Sequence, residues 1–278
     1  MILGAHVSTQ GGVDNAPGNA AAFGINAIQI FTKNQRQWSA KPLDPSAVER
    51  YHQQVREHAI TYACSHASYL VNLCAPDDEK LSKSIDSLTD ELERAEPLKL
   101  AHVVFHPGSH LNEGEEWGLK RIARSIDEIH KRLPGYAGKL TIEITAGQGT
   151  NLGYSFEQLK SIYGRVKAPE RLAICFDTCH AYSAGYDIAT KSGYEKTFKA
   201  FNEILGLDQL QVIHLNDTKK ELGSRVDRHD QIGEGLLGLD AFRFLMKDKR
   251  FKSIPAILET PEGETGYPRD LKILRSLV

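Results

Sequence analysis

Short runs of β-branched and aliphatic residues recur along this 278-residue chain, separated by longer amphipathic segments. Eight runs have the length of strands and are predicted near residues 2–6, 26–31, 61–66, 102–106, 139–144, 172–177, 210–215 and 254–259. The segments between them repeat apolar residues at helical spacing, and several begin with Asp or Ser, which favour helix N-termini. This alternation predicts right-handed βα units and a parallel sheet.

Eight strands are the number that a closed parallel barrel requires, so we predict an α/β fold of the TIM (β/α)8 type. A doubly wound open sheet is the main alternative. The residues after the first strand, GAHVSTQGGV, lack the GxGxxG spacing of that architecture. The chain shows no linker, internal repeat or low-complexity tract, and 41% of its residues are hydrophobic. We therefore predict a single catalytic domain over residues 1–278.

A histidine, aspartate or glutamate stands where each of the last six predicted strands stops. These residues are His66, His106, Glu143, Asp177, His214 and Glu259. A parallel barrel gathers the carboxyl ends of its strands at one rim, where barrel enzymes place their chemistry. Charged groups buried there are costly unless a cation or a partner satisfies them. The pattern predicts a site that binds several metal ions.

Three further candidate ligands lie close to these strand ends in the sequence. His180 follows Asp177 in DTCH, and Asp227 and His229 form DRH in the long segment after the seventh strand. Five imidazoles and four carboxylates suit Zn²⁺, and also Mn²⁺, Fe²⁺ or Co²⁺, better than Mg²⁺ or Ca²⁺. Nine ligands exceed what one or two catalytic ions need, and three ions sharing one carboxylate would use them all. Such clusters favour hydrolysis of phosphate esters.

Composition adds constraints on partners and location. The formal net charge is −2, so no overall positive field indicates a nucleic-acid partner, although bound metal ions would make the active face more positive. No run of about 18 apolar residues occurs, and the start lacks a basic stretch followed by an apolar core. We expect a cytoplasmic protein without membrane contact. The four cysteines form no CxxC pair and are expected to be reduced.

Seven ordered motifs, together with GAHVS near the start, closely resemble the endonuclease IV family of abasic-site repair enzymes. They are HASYLVNL (66–73), FHPGSH (105–110), AGQGTNLG (146–153), FDTCHAYSAGYD (176–187), HLNDTK (214–219), SRVDRHDQIGEG (224–235) and ILETP (257–261). The resemblance implies a TIM barrel with three zinc ions, Mn²⁺ being possible at one or more sites. It implies cleavage of the phosphodiester 5′ to an abasic site in duplex DNA, leaving a 3′-hydroxyl and a 5′-deoxyribose phosphate.

The same resemblance implies a distribution of the ligands. His66, His106 and Glu143 would hold one zinc ion, and Glu143 would bridge to a second. The second ion would also be held by Asp177, His214 and Glu259, and the third by His180, Asp227 and His229. Glu143 and Glu259 are the catalytic candidates, Glu259 being near enough to help orient the attacking hydroxide.

Contacts with the duplex are expected from other residues. KNQRQW (33–38) interleaves cations, amides and an aromatic ring, a mixture suited to phosphate contacts and insertion into the minor groove. By the resemblance, Arg36, Tyr69 and Leu70 would enter the duplex. The remaining candidates for backbone contacts are Lys33, Lys219, Lys220, Arg225 and Arg228. The expected partner is double-stranded DNA containing abasic sites, bound by a monomer.

One position departs from the family pattern, because Ile144 follows Glu143 where the family usually has Asn. Successive side chains of a strand point to opposite faces, so Ile144 is expected to face the helices and leave the ligand geometry unchanged. The hydrogen bond that Asn would make at this position is absent with Ile144, and this absence is expected to alter metal affinity. We interpret four further residues as structural, with base stacking left open for Trp38 in KNQRQW: His6, Cys179, Trp38 and Trp117.

Two other functions are compatible with this pattern of residues. A sugar isomerase or epimerase barrel would also carry His and carboxylate ligands on its strand ends, but with one or two ions and no role for DRH. A lesion-binding protein could keep the cluster without cutting DNA.

Overall fold

Residues 1–278 are described by a computed structural model, in which eight parallel strands close into a barrel. The strands in chain order are β1 Ile2–His6, β2 Ala27–Ile30, β3 Tyr62–His66, β4 His102–Phe105, β5 Lys139–Glu143, β6 Leu172–Asp177, β7 Leu210–Leu215 and, after a small hairpin, β10 Pro255–Leu258. The first strand pairs with both β2 and β10, which closes the sheet and excludes the doubly wound alternative. The predicted TIM barrel is confirmed, and each strand ends within two residues of its predicted bounds.

Nine α-helices surround the barrel. They are α1 Ala16–Ala22, α2 Pro45–Glu57, α3 Asp78–Ala95, α4 Glu115–Arg132, α5 Phe156–Tyr163, α6 Thr178–Ala184, α7 Lys191–Ile204, α8 Gly238–Lys247 and α9 Tyr267–Ser276. Side-chain caps begin several of them, as at Asp77, whose carboxylate accepts from the Lys80 amide at 2.8 Å. None of the helices is both long and apolar enough to cross a bilayer.

Two features between the barrel elements were not predicted. The helix α6 starts directly after β6, with Asp177 as its N-cap. A short antiparallel hairpin, β8 Asp217–Thr218 with β9 His229–Asp230, folds the long segment after β7 back over the rim. Both features carry predicted ligands.

The core has two layers, as a filled barrel requires. The larger lies between the outer faces of the strands and the helices, and the smaller fills the barrel interior with Ala27, Val104, Cys175, Val212 and Ile257. Trp117 packs against the larger layer, as expected of a structural residue. All four cysteines are free and buried. The filled interior leaves the rim as the place where polar side chains converge.

Strand β1 approaches β2 too closely for any side chain at Gly4. A Cβ atom there would lie 2.5 Å from the Ala27 carbonyl oxygen and 2.7 Å from a methyl carbon of Ile257. Both distances are far below van der Waals contact, so the barrel requires glycine at this position.

Candidate metal centre

The carboxylate of Glu143 lies at the centre of the rim, fully buried at the end of β5. Its Oε2 atom is 3.0 Å from Nε2 of His66 and 3.2 Å from Nε2 of His106. Its Oε1 atom is 3.0 Å from Nδ1 of His180 and 3.2 Å from Nδ1 of His214. One carboxylate from β5 is therefore surrounded by imidazoles delivered by β3, the β4 end, α6 and β7.

A second group of donors shares Glu143. The Nδ1 atom of His214 is 3.1 Å from Oε2 of Glu259 and 3.9 Å from Oδ2 of Asp177. One ligand atom from each of these four residues lies within 4.8 Å of the others, a separation that one cation could span. The pairing of Asp177 with His214 across β6 and β7 fixes their relative height on the rim.

A third group lies on the solvent side. The Oδ2 atom of Asp227 is 3.2 Å from Nε2 of His180, and its Oδ1 atom is 3.3 Å from Nε2 of His229. The two histidine Nε2 atoms are 3.4 Å apart. Helix α6 supplies His180 and the hairpin supplies His229, so the two elements absent from the sequence prediction complete this group.

The histidine hydrogen bonds favour tautomers that could bind metal. The Nδ1–H of His66 donates to the Ala67 carbonyl at 2.7 Å, and the Nε2–H of His214 donates to Oε1 of Gln29 at 2.9 Å. Each ring therefore turns its other nitrogen towards the carboxylates, where that nitrogen can bind a metal ion in place of a proton. Metal-binding histidines are usually held in this way by an outer partner.

The electrostatics also favour bound cations. Burial raises the pKa of Glu143, but the neighbouring His214 and His106 outweigh burial and hold this pKa well below its ordinary value. Burial lowers the pKa of His180, but Asp177 and Asp227 raise it well above 6.5. Ionised carboxylates buried together need positive charge beside them, which either protons or metal ions can supply. The donor set fits a metal centre built from imidazole and carboxylate ligands.

Two cysteines border this centre. The Cys175 sulfur can approach within 4.8 Å of donors from Glu143 and His214, and the Cys179 sulfur of donors from Asp177 and His229. Burial raises the pKa of the Cys175 thiol, which keeps it protonated and a poor ligand.

Three supporting residues were missed or undervalued in the sequence. His6 was interpreted as structural, yet its Nδ1 atom lies 3.2 Å from Oε1 of Glu259. Gln29 donates to the same oxygen, and Asn216 donates to Oδ2 of Asp177 at 2.6 Å. A polar residue inside the buried strand AIQI was a signal for Gln29, because a buried amide needs partners.

Comparisons with known proteins identify the family of this chain. The model of the xylose isomerase-like TIM barrel family matches residues 17–277. A protein of Citrifermentans bemidjiense named probable endonuclease 4 is 44% identical over 279 residues, covering 100% of this chain and 99% of the relative. One of the same name from Campylobacter hominis is 47% identical, covering 99% of this chain and 98% of the relative. The chain belongs to the endonuclease IV family.

Solved structures place this family member in a wider group of barrels. The crystal structure of endonuclease IV from Thermus thermophilus superposes with a TM-score of 0.89 at 36% identity, covering 100% of this chain and 98% of that one. A D-tagatose 3-epimerase-like protein superposes with a TM-score of 0.77 at 20% identity, covering 100% and 97%. The second likeness concerns the fold alone.

The residues predicted to enter DNA lie on two neighbouring loops of this endonuclease IV family member. Tyr69 is 62% exposed, with its ring centroid 5.5 Å from that of His66, and Leu70 is 37% exposed. Arg36 is exposed on the loop after β2. The Ser68 hydroxyl joins the two loops by donating to the Gln35 carbonyl at 2.5 Å. Tyr69 and Leu70 are accessible beside the centre, and Arg36 is accessible on the adjoining loop.

The prediction that Lys33 contacts DNA is wrong for the protein in this conformation. Its side chain is fully buried, and its Nζ atom lies 2.5 Å from Oδ2 of Asp90 on α3. It also donates to the backbone carbonyls of Ser87 and Trp38. An ammonium group enclosed in this way cannot reach a phosphate.

The other basic candidates lie on the loop after β7. Lys219, Lys220, Arg225 and Arg228 are all exposed. The Arg225 guanidinium lies 4.2 Å from the centroid of the Tyr154 ring. That of Arg228 donates to the backbone carbonyl of Asp227, which ties it to the outer group. These four side chains remain candidates for phosphate contacts.

Ile144 is fully buried in the larger core layer. Its carbonyl accepts from Nδ1 of His180 at 3.0 Å, so the backbone of this position supports the outer group whatever its side chain is.

Proposed function

We propose that this protein is a DNA repair endonuclease that hydrolyses the phosphodiester 5′ to an abasic site in duplex DNA. The products would be a 3′-hydroxyl and a 5′-deoxyribose phosphate. The observation that carries the proposal is the convergence of nine donors into three groups around Glu143. Membership in the endonuclease IV family supports the same reaction class.

Three metal ions, zinc with Mn²⁺ as a possible substitute, would occupy the three groups. The first would use His66, His106 and Glu143. The second would use Glu143, Asp177, His214 and Glu259, and the third His180, Asp227 and His229. When bound, such ions acidify water and neutralise charge on phosphate oxygens.

Glu259 is our candidate for handling the attacking water. Its side chain is 13% exposed, whereas that of Glu143 is 1% exposed, so Glu259 is the more open of the two catalytic candidates. One oxygen is held by His6 and Gln29 and the other by His214. These contacts fix the carboxylate so that Oε2, beside His214, can orient a water molecule and take its proton.

Recognition of the lesion would come from the exposed loops. Arg36, Tyr69 and Leu70 would enter the minor groove and fill the space of the missing base. Lys219, Lys220, Arg225 and Arg228 would hold the phosphate backbone. Extruding a nucleotide is least costly where no base has to be unstacked, which would supply selectivity without reading bases.

The outer group separates this proposal from a sugar isomerase. An isomerase barrel with one or two ions leaves Asp227 and His229 without a role, yet both lie within 3.3 Å of another donor atom. The epimerase-like structure shares the fold at 20% identity, which carries no information on activity. We further propose that residues 1–278 act as one domain and as a monomer in the cytoplasm.

The test is cleavage of an end-labelled duplex that carries a single tetrahydrofuran abasic analogue, resolved on a denaturing gel. We expect Glu259→Gln to lower turnover by about 10²- to 10⁴-fold while duplex binding persists. The matched control is Glu221→Gln, which removes an exposed carboxylate from the loop after β7 and should cleave normally. Near-normal cleavage by Glu259→Gln would remove that residue from the proposal.

Two other outcomes would favour the rivals. Tight binding of the abasic duplex by the metal-loaded protein without any product would indicate a protein that recognises lesions but does not cut. Inactivity on DNA together with turnover of a ketose panel would indicate an isomerase.

A further inference from the structure

A buried charge cluster lies beneath the loop 34–41, which follows β2 and carries Arg36. The ammonium of Lys33 is 2.5 Å from Oδ2 of Asp90 and 3.6 Å from Oε1 of Glu91, both on α3. It also donates to the Ser87 carbonyl at 3.0 Å and to the Trp38 carbonyl at 3.3 Å. One cation therefore joins the middle of the loop to the helix.

A second cation holds the two ends of the same loop. The Nε atom of Arg94 donates to the Thr32 carbonyl at 3.1 Å, and its Nη1 atom donates to the Lys41 carbonyl at 2.7 Å. The Thr32 hydroxyl donates to Glu91, which connects the contacts of Arg94 with those of Lys33. Lys33, Asp90, Glu91 and Arg94, which we call the clamp cluster, fix the loop at its start, middle and end.

Burying the charges of the clamp cluster costs free energy that an ordinary exposed loop does not require. Two cations and the Glu91 carboxylate are withdrawn from water, which is costly even when the charges are paired. Burial raises the pKa of Glu91, and the charge of Lys33 works against that rise. Meanwhile the loop directs Arg36 and most of its other side chains to solvent, and Trp38 is 37% exposed. The buried charges thus order a segment whose own side chains contribute little to the core.

The ordered loop supports its neighbour. The Ser68 hydroxyl donates to the Gln35 carbonyl at 2.5 Å and accepts from the Leu70 amide at 3.2 Å. The loop that presents Tyr69 and Leu70 is therefore attached to the loop that presents Arg36. Fixing one fixes the other.

We propose that the clamp cluster holds the loop 34–41 in its DNA-binding conformation, which makes Lys33 a positioning residue for duplex binding and not a phosphate contact. The inference rests on the proposed function. Ordering a loop before binding removes an entropic cost that a flexible loop would meet on association. Loss of Lys33 should therefore weaken binding and leave the chemical step unchanged, because none of its contacts is a candidate metal ligand.

The experiment compares Lys33→Met with Lys83→Met in the full chain. Lys83 pairs with Glu79 on α3, the helix that also carries Asp90 and Glu91, but both Lys83 and Glu79 are exposed. The dissociation constant for the tetrahydrofuran duplex, KM and kcat are measured for both, together with the rate of trypsin cleavage after Arg36. For Lys33→Met we expect about a tenfold increase in Kd and KM, kcat within about twofold, and faster cleavage after Arg36. For Lys83→Met we expect wild-type values.

Salt dependence separates positioning from direct contact. A lost phosphate contact lowers the slope of log Kd against log salt by about one, whereas a disordered loop leaves the slope unchanged. Lys33→Met is expected to keep the wild-type slope. A slope reduced by about one, or an unchanged Kd, would overturn the inference.

A second variant covers the case in which Lys33→Met does not fold. Asp90→Asn keeps the other contacts of Lys33, and the Asp90 side chain is 29% exposed, so the substitution is milder. A smaller rise in Kd at constant kcat is expected, and wild-type Kd and trypsin sensitivity would refute the clamp. A wild-type protein that neither binds nor cuts the abasic duplex would instead defeat the proposed function.

Discussion

Replacing Gln29 by Leu should lower the metal affinity of the centre, although every candidate ligand itself stays in place. Gln29 is fully buried in β2, and its amide joins two of those ligands. Its Oε1 accepts from Nε2 of His214 at 2.9 Å, and its Nε2 donates to Glu259. Leucine has a similar volume but offers neither group.

The expected magnitude follows from the two lost hydrogen bonds. Each buried group left without a partner costs about 1–3 kcal/mol, so the metal-free protein should lose roughly 2–6 kcal/mol of unfolding free energy. The imidazole of His214 also loses the acceptor that keeps its Nδ1 atom turned towards the carboxylates. Loss of such an outer partner typically lowers metal affinity by about 10- to 100-fold.

The assay is metal content by mass spectrometry after equilibration in zinc buffers of graded chelator strength, with urea unfolding of the metal-free protein in parallel. Gln211→Leu is the matched control, because Oε1 of Gln211 accepts from Nε2 of His102 at 3.0 Å at the opposite end of the barrel. Both variants should lose stability, but only Gln29→Leu should lose metal. Equal zinc retention in the two variants would refute the reasoning.

Further expectations concern the barrel, the pH dependence and the metal. Gly4→Ala should lower the free energy of unfolding by about 1–3 kcal/mol, because the new Cβ atom would meet the Ala27 carbonyl. The control Gly135→Ala, which has open space around it, should be near neutral. Equal urea midpoints for the two variants would contradict the close approach of β1 and β2. Burial, with a smaller contribution from Arg171, lowers the pKa of His130 to about 4. As the pH falls below about 6.5, His130 is protonated in the unfolded chain before it is protonated in the folded one, so the free energy of unfolding should decline between about pH 6.5 and pH 4. His130→Leu should flatten that part of the plot of unfolding free energy against pH. Parallel plots for the variant and the wild type would argue against this role of His130. Prolonged chelation should abolish cleavage and Zn²⁺ or Mn²⁺ should restore it, while full activity in a sample verified as metal-free would discard the metal mechanism.

The barrel could be predicted because its signal is local. Each strand is a short apolar run, which is the pattern expected of a parallel strand that is buried on both faces. His66, His106 and Glu143 could be proposed as candidate ligands for the same reason, since each marks the end of a run.

The rest depends on contacts between distant residues. The helix α6 was missed because DTCHAYSA follows a strand without a break, and only Asp177, acting as strand end and N-cap together, begins it. Lys33 was misread because a cation in a polar loop looks solvated until Asp90, 57 positions away, is known to lie beside it. His6 was undervalued because its partner Glu259 is 253 positions away.

The hairpin over the rim is the shortest paired element of the centre. Its ladder has only two residue pairs, yet it carries His229 and lies beside Asp227. Opening such a short ladder needs far less free energy than unfolding the barrel, and it would withdraw two of the three outer donors while the inner ones stayed in place. If three ions bind as proposed, the outer one would then exchange with the surroundings fastest, and a partly demetallated protein would recover by reloading that position alone.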